Sequence, residues 1–242
     1  MYKEHQYFKD PLSESMLLWR YLDFTKFMYI LKRKNLFLPP AAILHKEDSF
    51  EGSLPPKDYK LWLKILGTKE KVKSAQDFQR LEFCISCWHF NETESIAMWK
   101  LYSQLGNGIA IQTTIPDFKR SFDQVLYDVF IGEVRYIDYK TESFFDGTDY
   151  TVEGSMGLAP FIHKRSIYRY EHEYRAIARD QPGHELFGLG LDVPVNHDLL
   201  IKKIIVAPLT PNWIYELVKS EMQKELPNIT VEHSIYDEKP LV

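Results

Sequence analysis

The chain predicts an α+β fold, with a mixed, strongly twisted and split β-sheet and helices packed around it. Three observations carry that expectation. A strand, a helix and a second extended piece follow one another within residues 17–38. Apolar runs of strand length recur at 83–90, 108–114 and 129–139, and segments with apolar residues at helical spacing lie between them. No internal repeat, low-complexity tract or linker is visible, so one domain is expected over 1–242.

Leu17 to Leu22 reads as the first strand, its apolar run interrupted by Arg20. Asp23 is a good N-cap, and Phe24, Phe27, Met28 and Leu31 recur at helical spacing up to the basic end Lys32-Arg33-Lys34. Leu36 to Leu38 is extended and is stopped by Pro39-Pro40. Residues 40–57 read as a long loop marked by Asp48-Ser49-Phe50-Glu51-Gly52, and helical pieces follow at 56–66 and 74–82. Phe83 to Phe90 is a strand. Asn91 and Glu94 form a capping-box pattern before a helix over Ser95–Leu105, whose expected buried stripe is Met98, Trp99, Tyr102 and Leu105. Gly108 to Thr114 is a strand, and Pro116 opens a short helix. Val129 to Tyr139 reads as one long strand with a bulge at Gly132. A polar loop over 140–156 leads into a short helix. Later strands are expected at 186–193, 200–207 and 228–236, with a helix capped by Thr210 and started by Pro211 between the last two.

With 45% hydrophobic and 14% aromatic residues, 242 residues can bury a large core. A net charge of −4 gives no overall attraction to nucleic acid or to an anionic membrane. No charged leader precedes an apolar run and no apolar stretch approaches a membrane span, so a cytoplasmic protein without a membrane partner is expected. Cys84-x-x-Cys87-x-His89 suggests a metal or redox motif. In a strand, however, residues three apart face opposite sides, so these two cysteines point apart and no metal site is expected.

Chemistry concentrates in His163–Arg179. Read as a strand, it projects Arg169, Glu171, Glu173 and Arg175 to one side and Tyr170, His172, Tyr174 and Ala176 to the other. Carboxylates two strand positions apart lie roughly 7 Å from each other, close enough for one to raise the pKa of the other. The competing reading is a solvated face of surface ion pairs, each worth little. Arg20 is likewise either a functional cation or a stem that snorkels to the surface.

Phe50-Glu51-Gly52, Ser86-Cys87-Trp88, Met98-Trp99-x-x-Tyr102, Gly108-Ile109-Ala110-Ile111, Glu133-Val134-x-Tyr136 and Tyr170-Glu171-His172-Glu173-Tyr174-Arg175 together resemble a bacterial family described as domain of unknown function 2971. More distantly, the order Arg20, Ser86, Glu171/Glu173 is similar to the arginine/serine/glutamate type of ADP-ribosyltransferase, although Ile-Ser-Cys-Trp stands where that type has Ser-Thr-Ser. That resemblance implies an ADP-ribosyltransferase-like fold with NAD as substrate, and transfer of ADP-ribose to a protein or nucleic-acid acceptor. A toxin or a phage-defence effector would be its setting. It implies that Glu173 stabilises positive charge on ribose and that Glu171 orients or deprotonates the acceptor. Arg20 would bind a phosphate or ribose oxygen, Ser86 would hold the site together, and Trp88 or Tyr102 would stack on nicotinamide. Two other classes stay open: a metal-dependent nuclease or phosphodiesterase using Glu171 and Glu173, and a non-catalytic binding module.

Overall fold

A computed structural model describes residues 1–5, 8–10, 16–103, 105–145 and 155–240. Its strands are β1 (Tyr2–Lys3), β2 (Leu17–Asp23), β3 (Asn35–Leu38), β4 (Phe83–Asn91), β5 (Gly108–Thr114), β6 (Val129–Glu133), β7 (Arg135–Ile137), β8 (His163–Arg165), β9 (Glu173–Arg179), β10 (Leu191–Pro194), β11 (Lys203–Val206) and β12 (Thr230–His233). Its helices are α1 (Phe24–Arg33), α2 (Ala41–Glu47), α3 (Pro56–Leu66), α4 (Lys69–Glu82), α5 (Ile96–Tyr102), α6 (Ile115–Arg120), α7 (Ser155–Ile162), α8 (His197–Leu200) and α9 (Asn212–Glu225).

The fold is α+β around a large mixed sheet. Eight of these strands run in the order β1-β6-β9-β4-β2-β5-β11-β12, and β3/β10 and β7/β8 form two small accessory pairs. The two outermost pairings, β1/β6 and β11/β12, are parallel and the inner ones antiparallel. Strand β4 pairs with β9 from Phe83 to His89, and β2 pairs with β5 along its whole length. Between β2 and β4 only Leu17, Leu18 and Trp19 find partners, opposite Asn91, Phe90 and His89. Beyond Trp19 the two halves of the sheet part.

Strand alternation explains why they can. One face carries Leu18, Leu22, Trp88, Ile111, Tyr174 and Ile204 in a single large core, closed by Phe27, Ile30 and Leu31 of α1, Phe118 of α6 and Val218 of α9. The opposite face carries two separate cores. Ile85 and Ile177 pack with Phe161 and Ile162 on one half, and Trp19, Tyr21 and Ala110 pack with Met98 and Trp99 on the other. Among the described residues no common apolar layer clamps the halves together on that side, and polar side chains occupy the seam.

Several elements differ from expectation for identifiable reasons. Residues 40–57 contain α2, because Pro40 takes the N-cap position, where proline's missing N–H costs nothing. Ser95, not Asn91, caps α5, and Glu94 instead accepts from the Trp99 indole (2.6 Å) and the Ser234 hydroxyl (2.9 Å). That helix ends at Tyr102, leaving Tyr102 and Leu105 exposed. The 129–139 run breaks at Val134, whose N–H turns to the Glu173 carbonyl (2.9 Å), and β7 pairs with β8 instead. Gly132 is no bulge: its register with Arg175 is unbroken, and a Cβ there would sit 2.8 Å from the Phe8 backbone. In the expected loop over 140–156, Ser143, Phe144 and Phe145 are buried, held through Asp58; 146–154 lie outside the described residues. Strand β10 begins only at Leu191, and α9 begins after Pro211 rather than at a Thr210 cap.

Candidate functional site

The 163–179 segment is not one strand. Strand β8 is followed by a 3₁₀ turn, Ser166–Glu171, then by His172 in the left-handed region (φ 40°), and only then by β9. The Phe90 N–H holds the His172 carbonyl (2.9 Å), and the Glu173 N–H donates to the Tyr136 hydroxyl (2.8 Å). This kink replaces the expected row. Glu171 and Glu173 do converge, but on Lys164 rather than along a ladder: its ammonium bonds both carboxylates. Arg169 is exposed and takes no part in that cluster.

Behind the pair lies a second ionic layer. Arg175, only 1% exposed, donates through Nε to Glu173 (2.7 Å), through Nη1 and Nη2 to the two oxygens of Glu51 (2.6 and 2.9 Å), and through Nη1 to the Phe161 carbonyl (2.7 Å). Glu51 reaches this position because the next residue, Gly52, adopts φ 65°, and a Cβ there would sit 2.8 Å from the Phe161 ring. Each buried charge therefore has an opposite partner, the condition on which an ionic cluster survives away from water.

The two carboxyls differ in proton affinity. Burial raises Glu171, its hydrogen bond with Glu173 and that group's charge raise it further, and Lys164 only partly opposes them, so it sits at about 7. Burial pushes Glu173 the same way, but Arg175 and Lys164 outweigh it and hold the carboxyl well below the usual range. Near neutral pH the pair thus combines a fixed anion with a group that can exchange a proton, the division of labour general acid–base chemistry needs.

Arg20 lines, with this pair, a cleft of about 780 Å³. Its guanidinium stands where the β2/β4 ladder is lost, donating to Ser86 Oγ and to the Cys87 carbonyl (3.4 Å). Arg20 is half-buried with its Nε enclosed, and burial lowers its pKa to about 10. Ser86 is fully buried and accepts from the Trp88 indole (3.0 Å) as well as from Arg20. Trp88 is 1% exposed, packs on Phe118 (4.8 Å between ring centroids) and lies under the Arg20 guanidinium (5.7 Å). Its indole supports Arg20 and has no free face for stacking on a ligand. Tyr102, 47% exposed, lines the cleft, and burial together with the nearby Glu171 and Glu173 raises its pKa.

The cleft thus gathers Arg20, Trp88, Tyr102, Glu171 and Glu173, with Ser86 behind the first two. Sequence reasoning missed Lys164, the ion-pairing role of Glu51 and Arg175, and the position of His89 in the lining. Phe50-Glu51-Gly52 was a visible signal, a carboxylate beside a turn glycine, but its partner is 124 residues away. Cys84 and Cys87 are free thiols. No protein-family model, curated protein or solved structure matches the chain.

Proposed function

We propose that this cleft binds NAD and that the chain is an ADP-ribosyltransferase-like enzyme, in fold and in activity, breaking the nicotinamide–ribose bond and passing ADP-ribose to a macromolecular acceptor. One observation carries the reading. A half-buried arginine on an early strand and an anionic glutamate on a late strand line one cleft, at the seam where the sheet opens. Its volume of about 780 Å³ falls within the range of roughly 300–1,000 Å³ common for small-molecule sites.

In this reading Arg20, fixed by Ser86 and by the Trp88 face, holds the pyrophosphate, and Tyr102 stacks on nicotinamide. Departure of nicotinamide builds positive charge on the ribose, and Glu173 stabilises it. Glu171, poised at about 7, accepts the proton of the attacking acceptor group. The chemistry sets one requirement: the Lys164 ammonium must give up its place on Glu173 as cationic character develops, since two cations compete for one carboxylate. Its four-carbon stem allows such a movement.

A metal-dependent phosphodiesterase fits the residues less well. Both carboxylates already hold cationic side chains, and among the described residues no three His, Cys, Asp or Glu side chains converge as metal ligands. The experiment is nicotinamide release from NAD, with and without cell extract as the acceptor source. Glu173→Gln keeps shape and removes charge, so release should fall by orders of magnitude while NAD affinity barely changes. Glu171→Gln should impair transfer more than hydrolysis. A wild type that turns over NAD with Glu173→Gln unimpaired would return the pair to a structural role.

A further inference from the structure

His89 sits at the apex of the seam, on the last rung of both ladders, opposite Trp19 on β2 and Glu173 on β9. It is 7% exposed and lines the cleft. Its Nδ1 lies 2.6 Å from the Glu171 carbonyl oxygen. A carbonyl can only accept, so Nδ1 carries the hydrogen and donates it. Burial lowers the pKa of the ring, against the pull of that carbonyl, so the imidazole is neutral and Nε2 holds a lone pair. That Nε2 is buried with no hydrogen-bond partner among the described residues. Unmet buried acceptors are rare because each loses the water it would otherwise bind, and one on the wall of a cavity has an available remedy in the molecule that fills it. Arg20, which also lines the cleft, carries the complementary case at Nε, a buried donor with no acceptor among the described residues.

We propose that His89 is a ligand-binding residue of the cleft, its Nε2 accepting a hydrogen bond from a neutral donor, a hydroxyl or an amide N–H, of the bound molecule. A lone pair repels phosphate and a guanidinium attracts it, so the two unmet atoms also orient the ligand: anionic groups go toward Arg20, and a sugar hydroxyl or carboxamide goes toward His89. This assignment rests on the dinucleotide reading above and adds to it the contact that selects one end of the ligand.

The structural role of His89, its bond to the Glu171 carbonyl, can be separated from the proposed one. In Asn the amide nitrogen stands at the same distance along the side chain as Nδ1, so His89→Asn can keep the bond to Glu171 while removing the Nε2 lone pair. The test is nitrogen NMR on full-length protein labelled at its eight histidines, with His89→Asn assigning the signal, and Met98 in the cleft as an independent methyl reporter of binding. Without ligand, Nε2 should report the unprotonated nitrogen. NAD should shift it, and His89→Asn, folded as the wild type, should bind NAD about tenfold more weakly. ADP-ribose keeps the hydroxyls and lacks the carboxamide: a shift with ADP-ribose identifies a hydroxyl, and a shift with NAD alone identifies the amide. A protonated Nε2 overturns the proposal. So does NAD binding that moves the Met98 methyl but leaves Nε2 silent and the Asn variant at full affinity, and this outcome leaves the dinucleotide reading intact. No response from either reporter to NAD or ADP-ribose removes both.

Discussion

The cleft and the outer surface of α9 use the same ionic parts to opposite effect. Glu221 on α9 is hydrogen-bonded by Lys32 and Lys224 (2.6 Å each), and these bonds pull its pKa down to about 2. Glu171 also pairs with a lysine, yet it is pushed up to about 7. Proximity to an ammonium therefore does not decide the direction. Glu171 has lost its water and must share Lys164 with an ionised neighbour, so the proton is the cheaper companion. Glu221 has two lysines, of which Lys32 also reaches Glu225 (3.0 Å), and it keeps contact with water. A lysine–glutamate pair becomes a chemical device only when burial and a second carboxylate act together.

The strongest way to break this comparison is to strip the cleft of its deepest cation. Arg175→Met leaves Glu51 and Glu173 enclosed without their shared partner, and should cost about 3–5 kcal/mol in chemical denaturation. A loss below about 1 kcal/mol would mean that water reaches these groups and that the cleft electrostatics resemble the surface.

Next in size is the pH dependence. Glu171 has a folded pKa of about 7 against an ordinary value of 4.5, so the folded state holds its proton more tightly than the unfolded one. Its contribution is complete below pH 4.5 and is lost as pH rises toward 7. At about 1.4 kcal/mol per unit it amounts to about 3 kcal/mol, shared with Glu173 because the pair titrates as one. Glu173, held low, works in reverse: its contribution is present above 4.5 and is lost only as pH falls through its depressed value. Denaturation of wild type and Glu171→Gln across this range should therefore show the wild type losing ground to the variant as pH rises. Parallel curves would remove the raised pKa. A smaller loss, about 1–3 kcal/mol, is expected for Ser86→Ala, which strands the buried donors of Arg20 and Trp88 at the seam.

The legible parts of this molecule are local. Asp23 accepts from the Lys26 N–H (2.8 Å) three residues on, and of the expected stripe Phe27 and Leu31 are buried while Phe24 and Met28 are half-buried and Ile30 joins the core, so β2, α1 and β3 could be read from the chain. The acid pair was visible as two carboxylates, but its geometry was not. The kink at His172 depends on Phe90 and on the His89 ring, about eighty residues upstream. Lys164 meets the pair only because β8 lies parallel to β7. Strand alternation, applied to a segment that turns through a 3₁₀ helix, kept Glu171 and Glu173 together for the wrong reason and gave Arg169 a place it does not hold. The alternation of β4 put Ser86 and Trp88 on one face, and there they are, holding Arg20. Long-range pairing carries most of the site, and a single sequence does not display it.

The smallest effect is expected at the other pole of the comparison, and it is the control that gives the larger ones meaning. Glu221→Gln removes a carboxylate with two lysine partners, by simple inspection a better-paired group than Glu171. Its depressed pKa means that whatever it contributes is present above pH 4.5 and is lost as pH falls toward 2, the reverse of Glu171. At physiological salt, where exposed pairs are screened over about 8 Å and long side chains gain freedom when released, the denaturation midpoint at neutral pH should not move measurably, and a small shift should emerge only at low salt. A Glu221→Gln shift as large as that of Ser86→Ala, and insensitive to salt, would show that enclosure is not what separates the two glutamates. The raised pKa of Glu171 would then need a cause other than lost water and a shared lysine.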